Sequence, residues 1–257
     1  MVKPSPAPTP DPLFLPTDYV RQTSAVALNT SGGGEAYWGE GKSFNASESQ
    51  WHVYEWARVS MLNSANPVVW DIGCGMAVKL HRLIASHPSA QGFGFDQPYA
   101  IGAASRIASD RLKLLACDLE SFDSGGIPLP THIICADVIE HLQDPASLLR
   151  RILGYCQPDT SVFVSTPDRT VLHGPANRSP SNPLHVQEWT PTEFGQLVQS
   201  SGFAVESIRH FPPMRLGLNL RSARLYGHLL FSRLTTRITM SFHLRPTDRT
   251  SLTGRGM

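Results

Sequence analysis

The segment Val68-Val69-Trp70-Asp71-Ile72-Gly73-Cys74-Gly75 decides the fold. A short apolar run, Val68 to Trp70, ends in an acid and two glycines, and Val78 to Ser86 beyond it carries a helical pattern. A strand that passes through a glycine-bearing turn into a helix is the opening unit of a strand-helix-strand sheet.

The same alternation continues outward. Gly92 to Phe95, Leu112 to Ala116, His132 to Ala136, Ser161 to Ser165 and Phe203 to Ile208 read as strands. Pro98 to Ser109, Pro145 to Tyr155 and Pro191 to Ser200 read as helices, the second with Pro145 in its first turn and the third stopped before Gly202. Such alternation implies an α/β fold with a parallel, doubly wound sheet, right-handed crossovers and helices on both faces. Upstream, Ser47 is a candidate N-cap for a helix reaching Leu62, with Trp51, Val53, Tyr54, Ala57 and Met61 at helical spacing.

In a parallel sheet the ligand crevice lies beyond the carboxyl ends of the strands. Four successive strands deliver acids there: Asp71, Asp96 followed by Gln97, Asp118 followed by Leu119, and Asp137 in Asp137-Val138-Ile139-Glu140-His141. Gly73 and Gly75 allow a tight turn close to a ligand, and a carboxylate at the tip of the second strand can accept both hydroxyls of a ribose. Asp71 ahead of the glycines repels a pyrophosphate and favours a cationic group, so the rim suits a sulfonium nucleoside better than a dinucleotide. Asp118 is suited to accept from an adenine amino group, with Leu119 available to pack on the ring.

With DIGCG, GFD, CDLE and DVIEHL in register, residues 67–211 resemble the class I S-adenosylmethionine-dependent methyltransferases, especially the branch containing the ubiquinone-biosynthesis O-methyltransferases and glycan-modifying enzymes. The resemblance implies a Rossmann-like, mostly parallel seven-stranded sheet. It also implies S-adenosyl-L-methionine as cofactor and S-adenosyl-L-homocysteine as product. Asp71, Gly73 and Gly75 would hold the methionine end, Asp96 the ribose and Asp118 the adenine, with Cys74, Gln97, Leu119 and Asp137 as further candidate cofactor-binding residues. At Ala77 the family commonly has a further glycine. Ser165-Thr166-Pro167 and Asn182-Pro183-Leu184-His185-Val186-Gln187-Glu188-Trp189 resemble the same branch, in a loop on the acceptor side.

Methyl transfer to a hydroxyl needs alignment and a proton acceptor, and His185 and His141 are the candidates for the catalytic base. Each also has a structural reading, His141 as a bridge in its loop and His185 as a tie to Glu188. Asp137, Glu140 and His141 fall at i, i+3 and i+4, and with His185 they resemble the metal set of the small-RNA 2′-O-methyltransferases. Asp stands where that family has Glu, and no metal is expected. The expected acceptor is a small-molecule or glycan hydroxyl, the alternatives being a metal-assisted RNA 2′-O-methyltransferase and a non-catalytic cofactor-binding scaffold. Tyr37, Trp38, Trp51 and His52 are candidates for a lid or for core packing, and Arg169 and Arg178 for contact with an anionic acceptor.

Composition sets the rest. The chain has 257 residues, 41% hydrophobic and 17% charged, which suits one globular domain with appendages. No apolar run approaches the roughly 20 residues of a membrane span. The Pro-rich start lacks the pattern of a secretory signal, so a cytoplasmic location is expected, with Cys74, Cys117, Cys135 and Cys156 reduced. Beyond Phe211 stand eight arginines against one acid, although net charge is +1 overall. That basic segment is expected to cover the sheet or a dimer surface, or to rest on an anionic membrane, while nucleic acid fits poorly because the remainder is acidic. The expected organisation is a disordered tail over 1–34, a lid or helical segment over 35–66, the core over 67–211 and a basic, partly helical extension over 212–257.

Overall fold

The structure is a computed structural model and describes residues 11–26, 50–174, 176–180, 182–211 and 239–247. Its centre is a seven-stranded sheet formed by β1 (Val68–Ile72), β2 (Gln91–Asp96), β3 (Leu112–Ala116), β4 (His132–Ala136), β5 (Ser161–Pro167), β6 (Phe203–Phe211) and β7 (Thr239–Pro246). The spatial order is β3-β2-β1-β4-β5-β7-β6. The first five strands are parallel, and β7 lies antiparallel between β5 and β6.

Helices α1 (Trp51–Met61), α2 (Val78–Ala85) and α3 (Pro98–Ala104) are followed by α4 (Pro145–Tyr155), α5 (Arg169–His173) and α6 (Pro191–Ser200). On one face of the sheet, Trp51, Val53, Tyr54, Trp56, Ala57 and Met61 of α1 join Leu80, Leu83 and Ile84 of α2 over Val69, Ile134 and Phe163. On the other, Leu148, Leu149 and Ile152 of α4 and Phe194, Leu197 and Val198 of α6 cover Trp70, Ile133, Val162 and Val164. Helix α6 starts on a full capping box: the Thr190 hydroxyl accepts from Glu193 N, and the Glu193 carboxylate accepts from Thr190 N.

Three expectations change. Helix α1 begins at Trp51, with Gln50 at its N-cap in the left-handed region (φ 59°), so Ser47 does not cap it; Ser47 itself lies outside the described residues. The core does not end at residue 211, because Thr239–Pro246 is a core strand that buries Met240, Phe242 and Leu244. The reading of 1–34 as a disordered tail does not hold for residues 11–26. Leu13 and Leu15 enter the main core, and the Leu13 carbonyl accepts from the Trp189 indole N–H at 3.0 Å. The remaining basic residues of 212–238, together with Tyr37 and Trp38, lie outside the described residues.

Candidate functional site

The turn after β1 is held by strand β2. Gly73 N and Cys74 N both donate to the Phe95 carbonyl at 2.8 and 3.1 Å, and Gly75 N donates to the Asp96 carboxylate at 2.7 Å. The other Asp96 oxygen accepts from Gln97 N at 2.7 Å. Three successive N–H groups of the turn are thus spent inside the protein, which makes it a poor cradle for a pyrophosphate and agrees with the anionic rim. Burial pushes the Asp96 carboxyl up, and the two amide hydrogen bonds pull it back down. Gly73 adopts φ +78°, and a Cβ there would lie 2.2 Å from Val138 Cγ2, so only glycine fits. Ala77, where the family has glycine, is left-handed at φ 51° and fully buried. The Cys74 side chain packs with Ala77 and Ala104.

Strands β1 and β4 are neighbours whose following helices lie on opposite faces, so the crevice opens between their tips. Asp71 of β1 is fully buried, and the Tyr54 hydroxyl of α1 lies 3.0 and 2.9 Å from its two oxygens. Burial pushes the Asp71 carboxyl up to about 7, against the opposing pull of Lys79 and the Tyr54 hydrogen bond. The Lys79 ammonium stands 5.3 Å from the centre of the Tyr54 ring, and burial lowers its pKa while Asp71 and Asp137 raise it. Asp137, just past β4, has φ 55° and accepts a short hydrogen bond from the Gln50 amide. The Gln50 amide nitrogen also donates to the Thr239 hydroxyl at 3.2 Å.

The two histidines come together. Their rings stand nearly perpendicular with centroids 4.9 Å apart. His141 Nδ1 is 2.8 Å from the Leu184 carbonyl, an acceptor, so Nδ1 carries the proton. His185 Nδ1 is 2.6 Å from Glu188 Oε1, which likewise places its proton on Nδ1 and its lone pair on Nε2; that nitrogen takes the Asn182 amide at 2.8 Å. Beneath them Glu140 is fully buried, with Oε2 accepting from the Thr166 hydroxyl at 3.0 Å and Oε1 lacking a hydrogen-bond partner among the described residues. Burial and the nearby Asp137 push the Glu140 carboxyl well up. The loop reaches this position because Val186 N donates to the Glu140 carbonyl at 2.8 Å and Tyr19 of the N-terminal segment accepts from Glu188 N at 2.8 Å.

Several candidates are used elsewhere. Asp118 caps the turn Leu119–Ser121 by accepting from Glu120 N at 3.0 Å, and Leu119 packs partly against the main core. Arg169 is no acceptor contact: it is fully buried, paired with Glu193 at 2.5 Å and donating to the Glu188 carbonyl at 3.2 Å. Arg178 pairs with Asp18 at 2.8 Å. Trp51 lies under the Arg82 guanidinium, 3.8 Å from its ring centre, and His52 stacks on Phe211 at 4.3 Å. Both belong to the packing of α1. Residue types alone did not single out Gln50, Tyr54 and Thr166, since each needed the fold to bring it to an acid.

Residues 54–208, more than half of the chain, match the model of the methyltransferase domain family. A probable S-adenosylmethionine-dependent methyltransferase of Mycolicibacterium smegmatis is 26% identical over 142 residues, 54% of this chain and 52% of that protein. Another from Mycobacterium tuberculosis is 25% identical over 178 residues, 65% and 62% of the two chains. The chain thus spans between about half and three fifths of the length of these curated relatives. The fold is shared with a chain of the complex between the Haloferax volcanii Trm112 methyltransferase activator and a methyltransferase (TM-score 0.66, 15% identity, 84% of this chain and 97% of that one). It is also shared with the plantazolicin methyltransferase BpumL, solved with S-adenosylhomocysteine (TM-score 0.58, 14% identity, 88% and 97%). The acid-glycine turn clamped to β2, the seven-stranded order and the family match lead to one conclusion: the chain belongs to the methyltransferase domain family, among the class I S-adenosylmethionine-dependent methyltransferases.

Proposed function

We propose that the chain transfers the methyl group of S-adenosyl-L-methionine to a hydroxyl of a small-molecule or glycan acceptor, with His185 as the proton acceptor. The observation that carries the reading is the buried His185–Glu188 pair, 2.6 Å apart, facing His141 beyond the carboxyl ends of β4 and β5. The cofactor supplies a methyl group already activated by a sulfonium, so the protein has to bind, orient and remove a proton.

The residues suit that division of labour. Asp71 and the clamped turn Gly73 to Gly75 are placed for the cationic methionine end, and Asp96 keeps further acceptor capacity on both oxygens for the ribose hydroxyls. On this reading the exposed Asp118, beyond capping its turn, keeps acceptor capacity for the adenine amino group. Glu188 fixes the His185 tautomer so that Nε2 accepts, and an acceptor hydroxyl would have to replace the Asn182 amide there. The test is an isotope-transfer screen with labelled S-adenosylmethionine against phenols and glycans. A labelled product bearing a base-stable methyl ether supports the reading; transfer only to nitrogen or carbon acceptors contradicts it.

A second reading has one observation in its favour. Ligand atoms of Glu140, His141 and His185 lie within 4.8 Å of one another, the donor set of a divalent ion, with Glu188 behind His185 as an outer partner. Either role requires the Asn182 amide to give up His185 Nε2, so the contact does not separate the two readings. Activity abolished by a chelator and restored by Mn²⁺ or Mg²⁺ would favour metal assistance over the metal-free base.

A further inference from the structure

Residues 19–22 lie outside the family-matched span 54–208, yet they are bonded to both loops that carry the histidines. Val20 N donates to the Arg178 carbonyl at 2.7 Å, Gln22 N to the Val186 carbonyl at 2.8 Å, and the Gln22 amide to the Pro180 carbonyl at 2.7 Å. Those bonds run along the loop of His185. Arg21 spans the two loops: its Nε donates to Gln187 Oε1 at 2.8 Å, two residues past His185, and its Nη2 donates to the Gln143 carbonyl, two residues past His141. The Gln187 amide nitrogen in turn donates to the Leu142 carbonyl at 2.7 Å, so a fully buried glutamine ties the same two loops beneath Arg21.

Tyr19 acts closer to the histidines. Its hydroxyl accepts from Glu188 N at 2.8 Å, and the Glu188 carbonyl accepts from Arg169 Nε at 3.2 Å. The Arg169 guanidinium stands 5.2 Å from the centre of the Tyr19 ring and is itself held by Glu193. Glu188 is thus gripped through the peptide groups on both of its sides, and its Oε1 is the atom that meets His185 Nδ1 at 2.6 Å. A carboxylate orients an imidazole only as accurately as its own backbone is held. We infer, on the reading of His185 as the proton acceptor, that residues 19–22 are a clasp that completes the acceptor side of the site, with Tyr19 as a positioning residue that acts on His185 through Glu188. Every partner named for the clasp lies on the two histidine loops, away from the glycine turn, so cofactor binding does not depend on it.

The test is proton NMR of the full chain saturated with S-adenosylhomocysteine. An imidazole N–H held in a short bond to a carboxylate is strongly deshielded and protected from exchange with water. Glu188→Gln assigns the His185 signal by removing the carboxylate. Tyr19→Phe keeps the ring and deletes the oxygen, while Asp18→Asn breaks an exposed pair with Arg178 in the same segment. Tyr19→Phe is expected to speed exchange of the His185 proton by about 10-fold or more and, with an acceptor in hand, to lower kcat by about 10-fold. Asp18→Asn should leave the exchange rate within about twofold, and both variants should bind S-adenosylhomocysteine within about twofold of wild type. Unchanged exchange in Tyr19→Phe, equal acceleration in the two variants, or loss of S-adenosylhomocysteine binding in Tyr19→Phe would overturn the clasp. A wild type without the Glu188-dependent signal would remove the His185–Glu188 pair, and the clasp and the base reading with it. A wild type that shows the signal and its response to Tyr19→Phe, but transfers methyl only to nitrogen or carbon, would overturn the hydroxyl acceptor and leave the clasp in place.

Discussion

The Tyr54 hydroxyl, on helix α1, reaches both oxygens of the fully buried Asp71 on strand β1, at 3.0 and 2.9 Å. One hydrogen atom cannot neutralise a buried carboxylate, and burial raises the Asp71 pKa to about 7 even with Lys79 pulling the other way. The sign for stability follows from proton binding. Between pH 4 and 7 the folded chain keeps a proton on Asp71 that the unfolded chain releases, so the contribution of Asp71 to stability is full below about 4 and is lost as pH rises through 7. Thermal melts of the ligand-free chain should decline over that window, with an upper bound of about 4 kcal/mol from a shift of about 3 units. Asp71→Asn should flatten the profile and stabilise the chain at pH 8 by about 1–3 kcal/mol while weakening S-adenosylhomocysteine. An unchanged pH profile in the variant would show that Asp71 does not titrate as described.

Gly73 tests the turn. Gly73→Ala places a Cβ 2.2 Å from Val138 Cγ2 at φ +78°, and the expected loss is about 2–4 kcal/mol, combining overpacking with left-handed strain. Adding Val138→Ala should return the steric part only. Denaturation midpoints of the single and double variants measure both components, and a single variant as stable as wild type would refute the close approach.

Arg169 is the structural counterpart of the site. Its buried guanidinium pairs with Glu193, and it also donates to the Glu188 carbonyl beside the His185 loop. Arg169→Met should cost about 3–5 kcal/mol by leaving a charge without its partner, and the double variant Arg169→Met/Glu193→Gln should be less destabilised than the single one. Urea unfolding of wild type, both single variants and the double variant decides it; additive losses would mean that the pair is not coupled.

The histidine pair makes a kinetic prediction. With an acceptor in hand, His185→Ala should lower kcat by about 10²–10⁴-fold and Glu188→Gln by a smaller factor, since the first removes the base and the second only its orientation. Neither should change S-adenosylhomocysteine affinity by more than about twofold, because neither residue lies at the glycine turn. A cofactor affinity that collapses in His185→Ala would place the loop in binding and not in proton transfer.

The parallel half of the molecule was legible because its signal is local. The strands at Leu112–Ala116 and His132–Ala136 and the helices at Pro145–Tyr155 and Pro191–Ser200 have the boundaries that apolar runs, prolines and caps give them. Strand β7 was hidden for a physical reason. Met240-Ser241-Phe242-His243-Leu244 alternates with period two, but it sits among arginines and pairs with β5 across more than 70 residues, a contact that no local pattern announces. Leu13 and Leu15 were hidden in the same way, in a three-residue apolar run between Pro12 and Pro16 whose place beside Trp189 is assembled only in the fold. In the site, Asp71, Asp96 and the glycines could be read from their place at strand ends. Tyr54 and Gln50 could not, because a tyrosine on the buried face of a helix and a glutamine before it carry no mark until the helix is docked on β1 and β4.

The most direct test of the cofactor assignment is calorimetric titration of the folded chain with S-adenosylhomocysteine, for wild type and for Asp96→Ala, with NADH as a competitor. The account predicts saturable binding at one site per chain that NADH does not displace and that is lost in the variant, whose Gly75 and Gln97 amides no longer have their carboxylate. No binding to a wild-type chain shown to be folded, or binding that NADH displaces, would contradict it.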